Sequence, residues 1–223
     1  MLVFGLVGVF QVDLGPLRVP VLSLLCMHYA VAGQWEASYS YALKAIALRK
    51  GLDRSLILLD FSHYYETEAL LRAGDERQAR EAVHRLGERL GPYRRFRIVY
   101  LRSLAVLAAW EGQSEPAIGH LREAAGLAAE LRLPGERWQI QAALGRLYEA
   151  EGLPAQARIA FAEASTIIQW LAEGIKNEPL RLRFLAGPQI QPVLQQRPTP
   201  RQLGPKRLHG AERVLQAAEP TEA

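Results

Sequence analysis

The sequence predicts an all-α fold, an α-solenoid of about four stacked helical hairpins with a C-terminal capping helix. Three observations predict it. Glycine followed by a helix-starting residue recurs at Gly33-Gln34, Gly74-Asp75, Gly112-Gln113 and Gly152-Leu153, at spacings of 41, 38 and 40 residues. Alignment on those glycines brings small and apolar residues to the same positions before and after each one. Gly91-Pro92 and Pro134-Gly135 punctuate the chain between units, and Asn177-Glu178-Pro179 opens a last short helix. A glycine suits the left-handed turn that lets a second helix fold back on the first.

Each element follows from that frame. The spacing predicts helices over 19–32 and 35–50, 54–73 and 76–90, 93–111 and 114–132, 136–151 and 154–173. The aligned set is Leu144, Gly145, Tyr148, then Ala157, Phe161, Ala164 in the fourth unit. It is Leu104, Ala105, Ala108, then Ala117, Leu121, Ala124 in the third, and Leu25, Cys26, Tyr29, then Ser38, Ala42, Ala45 in the first. The second unit reads Glu66, Thr67, Leu70, then Ala79, Val83, Leu86. Its first helix is either shifted in register or uses another face. Small residues let two helices approach closely, and positions three and four apart share a face. One hairpin cannot bury that face alone, so each must stack on a neighbour.

The domain plan is an apolar segment over 1–18, a repeat array over 19–176, a cap over 177–194 and a disordered tail over 195–223. In the cap, Asn177 is a good N-cap and Pro179 is tolerated in the first turn of a helix ending at Leu185, and a half-turn over 190–194 follows. The tail is rich in proline and poor in large apolar residues. The apolar start lacks the basic n-region of a signal peptide and is too short to span a bilayer. A lone cysteine, Cys26, leaves no internal disulfide and suits a reducing compartment, here the cytoplasm.

The net charge of +4 is concentrated in two places. The stretch 91–102 holds Arg94, Arg95, Arg97 and Arg102 with no acid, and the tail holds five bases against three acids. Arginines interleaved with Tyr93, Phe96 and Tyr100 suit phosphate contact and base stacking, and equally an acidic protein surface. A nucleic-acid-binding helical repeat using the Arg94–Arg102 strip is therefore an alternative function. The strip is otherwise the solvated start of a helix.

Enzymatic chemistry finds little support. There is no Gly-Lys-Ser/Thr phosphate loop, no dinucleotide fingerprint at Gly5 and Gly8, and no Gly-x-Ser-x-Gly elbow. Five histidines lie far apart and there is no second cysteine, so no metal site and no cofactor is expected. His63-Tyr64-Tyr65-Glu66 is the most polar-aromatic spot, and it reads best as aromatics packing between helices.

The small/aromatic/Ala/Phe/Ala set resembles the tetratricopeptide repeat. Units near 40 residues resemble the longer variety in the C-terminal arrays of large bacterial signal-transduction and transcription regulators. The resemblance covers roughly residues 20 to 194. It implies a non-enzymatic, regulatory scaffold for protein–protein interaction, and a chain that is the sensory tail of a multidomain ATPase, kinase or cyclase regulator is the further alternative. In the repeat frame the inner groove takes residues from each first helix: Tyr64, Glu68 and Arg72, then Arg102 and Val106, then Arg146 and Glu149. That groove is mixed in charge with an arginine excess, which favours a partner bearing carboxylates. No membrane partner is expected.

Overall fold

The computed structural model describes residues 15–49, 63–90 and 93–195. Among them it is all-helical, with ten helices and no strand. The helices are α1 (Gly15–Val31), α2 (Trp35–Arg49), α3 (His63–Arg72), α4 (Glu76–Arg89), α5 (Arg94–Trp110), α6 (Ser114–Glu130), α7 (Pro134–Ala150), α8 (Pro154–Gly174), α9 (Glu178–Leu185) and α10 (Gln191–Leu194). They pack as adjacent pairs: α1 with α2, α3 with α4, α5 with α6 and α7 with α8. Consecutive pairs also meet, through α1 with α3, α3 with α5 and α6 with α7, while α9 and α10 rest on α8. The apolar start over 1–14, the expected first part of the 54–73 helix and the tail beyond 195 lie outside the described residues, as does Gly91-Pro92. The first helix starts at Gly15, four residues before the expected boundary. Pro16 falls in its first turn, where a missing N–H costs nothing.

The turns explain the period. Gly33, Gly74, Gly112 and Gly152 have φ of +74°, +81°, +76° and +71°. Each donates its N–H to the carbonyl three residues back, and the next residue donates to the carbonyl five back. That pairing closes the end of each first helix. A fifth turn of the same kind joins α6 to α7 without a glycine. Arg132 has φ +54°, and the N–H groups of Arg132 and Leu133 bond the carbonyls of Ala129 and Ala128. This corrects the expected break at Pro134-Gly135. Pro134 is the first residue of α7, Gly135 lies inside the helix, and the chain turns at 131–133. Arginine in the left-handed region costs about 1 kcal/mol relative to glycine. Arg132→Gly is therefore expected to raise stability by about 1 kcal/mol in chemical denaturation, and an unchanged or lowered midpoint would contradict that account of the turn.

The second unit keeps the common register. Glu66, Thr67 and Leu70 are each 0% exposed, as the aligned positions require. Glu66 stands where the other hairpins carry leucine, and its burial is made possible by partners from two other helices. Arg49 at the end of α2 donates to Oε2 from Nη1 at 2.6 Å and to Oε1 from Nη2 at 2.5 Å. Ser23 of α1 donates to Oε1 at 2.7 Å and accepts from Arg49 Nη2 at 2.8 Å. A carboxylate so supplied can leave water.

In three hairpins a smaller residue at one aligned position goes with a larger one at the other: Thr67 with Val83, Ala105 with Leu121, Gly145 with Phe161, whereas the first hairpin carries Cys26 and Ala42. In the last pair a Cβ on Gly145 would lie 2.7 Å from Phe161 Cζ. The largest core cluster runs through α5 to α8 and takes in Ile190 and Val193 from the C-terminal segment. Two smaller clusters hold the first two hairpins together. Helix α9 is capped at its start by Asn177, whose Oδ1 accepts from the Leu180 N–H at 3.0 Å. Among the described residues no helix is long and apolar enough to cross a membrane.

Candidate functional site

Three first helices supply the site, and helical spacing decides which residues they offer. On α7, Gln139 and Arg146 are seven residues apart, two turns, and so lie on one face. On α3, Tyr64, Glu68 and Arg72 recur every fourth residue. On α5, Arg102 and Val106 do the same.

The structure brings Tyr64 and Arg102 together. The Arg102 guanidinium sits 3.6 Å from the Tyr64 ring centroid, a cation–π contact. Tyr64 Oη donates to Gln139 Oε1 at 2.9 Å, and Arg102 Nη2 donates to the same oxygen at 3.0 Å. One side chain from each of α3, α5 and α7 thus meets at a single amide oxygen. Burial raises the Tyr64 hydroxyl well above the usual tyrosine value, and Arg102 pulls the other way. The phenol therefore stays a neutral donor.

Glu68 and Arg72 form a pair on α3, with Nε and Nη2 of Arg72 bonding Glu68 Oε1 at 2.9 and 2.7 Å. The Arg72 guanidinium also covers the Trp35 ring of α2 at 4.2 Å. Val106 packs against both smaller apolar clusters, one of which contains Tyr64 and Tyr65. Arg146 and Glu149 make no hydrogen bond or ion pair with one another, and Arg146 makes none among the described residues. Burial lowers the Arg146 pKa; Glu68, Tyr65 and Glu149 oppose that, while Arg102 adds to it.

Three contributors escape a reading of the sequence. Gln139 is a neutral residue in a helix full of them, and only its spacing from Arg146 points to it. Tyr65 lies 4.2 Å from Tyr64, ring to ring, and accepts a hydrogen bond from Gln189 Nε2 at 2.8 Å. Gln189 lies 124 residues further along the chain. The C-terminal segment therefore reaches back to the second hairpin, a contact with no local sequence signal.

The basic strip divides in two. Arg94, Arg95 and Arg97 are exposed and each faces a carboxylate from a neighbouring helix. Arg94 pairs with Glu130, Arg95 Nη2 with Glu136 at 2.9 Å and Arg97 Nη2 with Glu123 at 2.6 Å. Arg102 is buried on Tyr64, away from them. The strip is not one continuous face. His63, Tyr64, Tyr65 and Glu66 are all buried, with Glu66 engaged by Arg49.

Among the described residues the fold is one of helices in adjacent pairs, with side chains from α3, α5 and α7 meeting at Tyr64, Arg102 and Gln139. No family model matches the chain, and neither a curated protein nor a solved structure matches it.

Proposed function

We propose that this protein is a non-enzymatic binding scaffold, a tetratricopeptide-like solenoid whose first helices line an inner groove for a protein or peptide partner. The observation that carries this reading is the meeting of Tyr64, Arg102 and Gln139. Three successive hairpins contribute to one polar cluster, which is what stacking of like units in a common register produces. The five turns of one kind support the same reading. The role is regulatory, in the cytoplasm, as a module that recognises a partner of acidic character. The ion pairs of Arg94, Arg95 and Arg97 offset the charge that nucleic-acid binding would use, so that alternative gains no support from the geometry.

The test places a photo-cross-linking amino acid in the full chain, at position 149 on the first-helix face or at position 84 on α4. Irradiation in a lysate of the source cells is expected to give discrete protein adducts from 149 and none from 84. Equal adducts from both positions, or none from either, would remove the reading.

A further inference from the structure

We propose that the outer face of α8 is the contact between two copies of this protein, packed antiparallel about a two-fold axis that passes beside Thr166. The contact lies on a second helix and does not depend on what the first helices bind.

The repeat register isolates this face. On each second helix, the positions 3, 7, 10, 14 and 18 residues after the turn glycine fall on one side. In α6 they are Glu115, Gly119, Arg122, Gly126 and Glu130, all exposed. In α4 the first four are Arg77, Glu81, His84 and Glu88, all exposed and all ionisable. Helix α2 is mixed, with Glu36, Ser40, Leu43 and Ala47. In α8 the same positions are Ala155, Ile159, Ala162, Thr166 and Trp170, also exposed. The solvent face of the middle hairpins is built from charge and glycine. That of the last hairpin carries no charge, and its Ile159 and Trp170 are 70% and 61% exposed. Apolar side chains of this size, in one stripe, gain free energy when another surface takes them out of water.

The stripe complements itself. Trp170 and Ala162 each lie one turn from Thr166, in opposite directions. Antiparallel packing centred there sets the tryptophan of each copy over the alanine of the other, large against small. Arg158 and Glu173 lie about 12 and about 10 Å from the same centre along the axis, again in opposite directions and on one flank of the stripe. Both are exposed, and neither enters an ion pair among the described residues. The two-fold brings Arg158 of each copy beside Glu173 of the other, so the ion pair forms twice. A parallel arrangement would set arginine on arginine and tryptophan on tryptophan. One helix about 30 Å long and about 10 Å wide covers less than the roughly 800 Å² per partner of a standard interface, so the dimer is a weak one that dissociates on dilution.

Sedimentation equilibrium of the full chain tests this, at loadings from about 1 to about 300 μM. The mass should rise from 24.9 kDa toward twice that value and stop there. Trp170→Glu should weaken association at least about tenfold. Arg158→Glu and Glu173→Arg should each weaken it about fivefold, since each contact occurs twice, and the two combined should restore it to within about twofold of wild type. All three residues are exposed, so the variants should keep the wild-type circular dichroism. Gly119→Glu, at the position of α6 that matches Ile159, should associate as wild type, because a side chain there meets nothing within 4 Å. A chain that stays monomeric at every loading would overturn the proposal and leave the stripe to another occupant. A dimer that survives Trp170→Glu would overturn its placement on α8. A charge exchange that restores nothing, or association that continues past the dimer, would overturn the antiparallel two-fold.

Discussion

Arg49→Met is expected to destabilise the protein by about 3–5 kcal/mol, because it leaves Glu66 buried without its cation. Glu66 is 0% exposed, and among the described residues only Ser23 would still bond it. The cost comes from the stranded charge, so it should be recoverable. Glu66→Leu installs the residue that the aligned position carries as Leu25, Leu104 and Leu144. The double variant Arg49→Met/Glu66→Leu should regain most of the loss, short of a small remainder from Ser23. A denaturation double-mutant cycle checks this. Additive losses would mean that the two residues act independently, and would contradict the stranded-charge account.

Gly145→Ala is the second large effect. A methyl group there would meet Phe161 Cζ at 2.7 Å, so the ring, which is buried, must shift. Overpacking of this kind costs about 1–3 kcal/mol, against which alanine's better helix propensity returns roughly 1 kcal/mol. Phe161→Leu alone leaves a void and also destabilises. Combined, the two changes rebuild the Ala105–Leu121 pairing of the third hairpin, so the double variant should be more stable than Gly145→Ala alone. A double variant worse than either single one would refute the volume-compensation account of the hairpins.

These two sites show how far the sequence could be read. Gly145 and Phe161 were legible because the pattern that marks them is local: a small residue, a turn glycine and a phenylalanine in fixed register. Asn177 was legible for the same reason. Glu66 was not, since its partners Arg49 and Ser23 lie 17 and 43 residues away. Its charge made α3 look out of register when it was in register and neutralised. Arg132 hid a turn that glycine usually marks, because its backbone hydrogen bonds hold the left-handed conformation. Of the groove residues, Tyr64 and Arg102 meet as the register suggested, whereas Val106 joins the apolar clusters. Gln139 and Gln189 became visible only when the helices were assembled. The basic strip misled because sequence adjacency said nothing of Glu123, Glu130 and Glu136 on the facing helices.

The account turns on α3, a short polar helix that the other hairpins surround. It bonds α1 and α2 through Glu66, α5 and α7 through Tyr64 and the C-terminal segment through Tyr65. Eight of its residues are buried, whereas α9 buries none. Native-state amide hydrogen exchange measures this directly. The amides of residues 67–72 should exchange only through the largest opening, at least about a hundredfold more slowly than those of α9. Exchange in α3 as fast as in α9 would contradict a structure assembled around it.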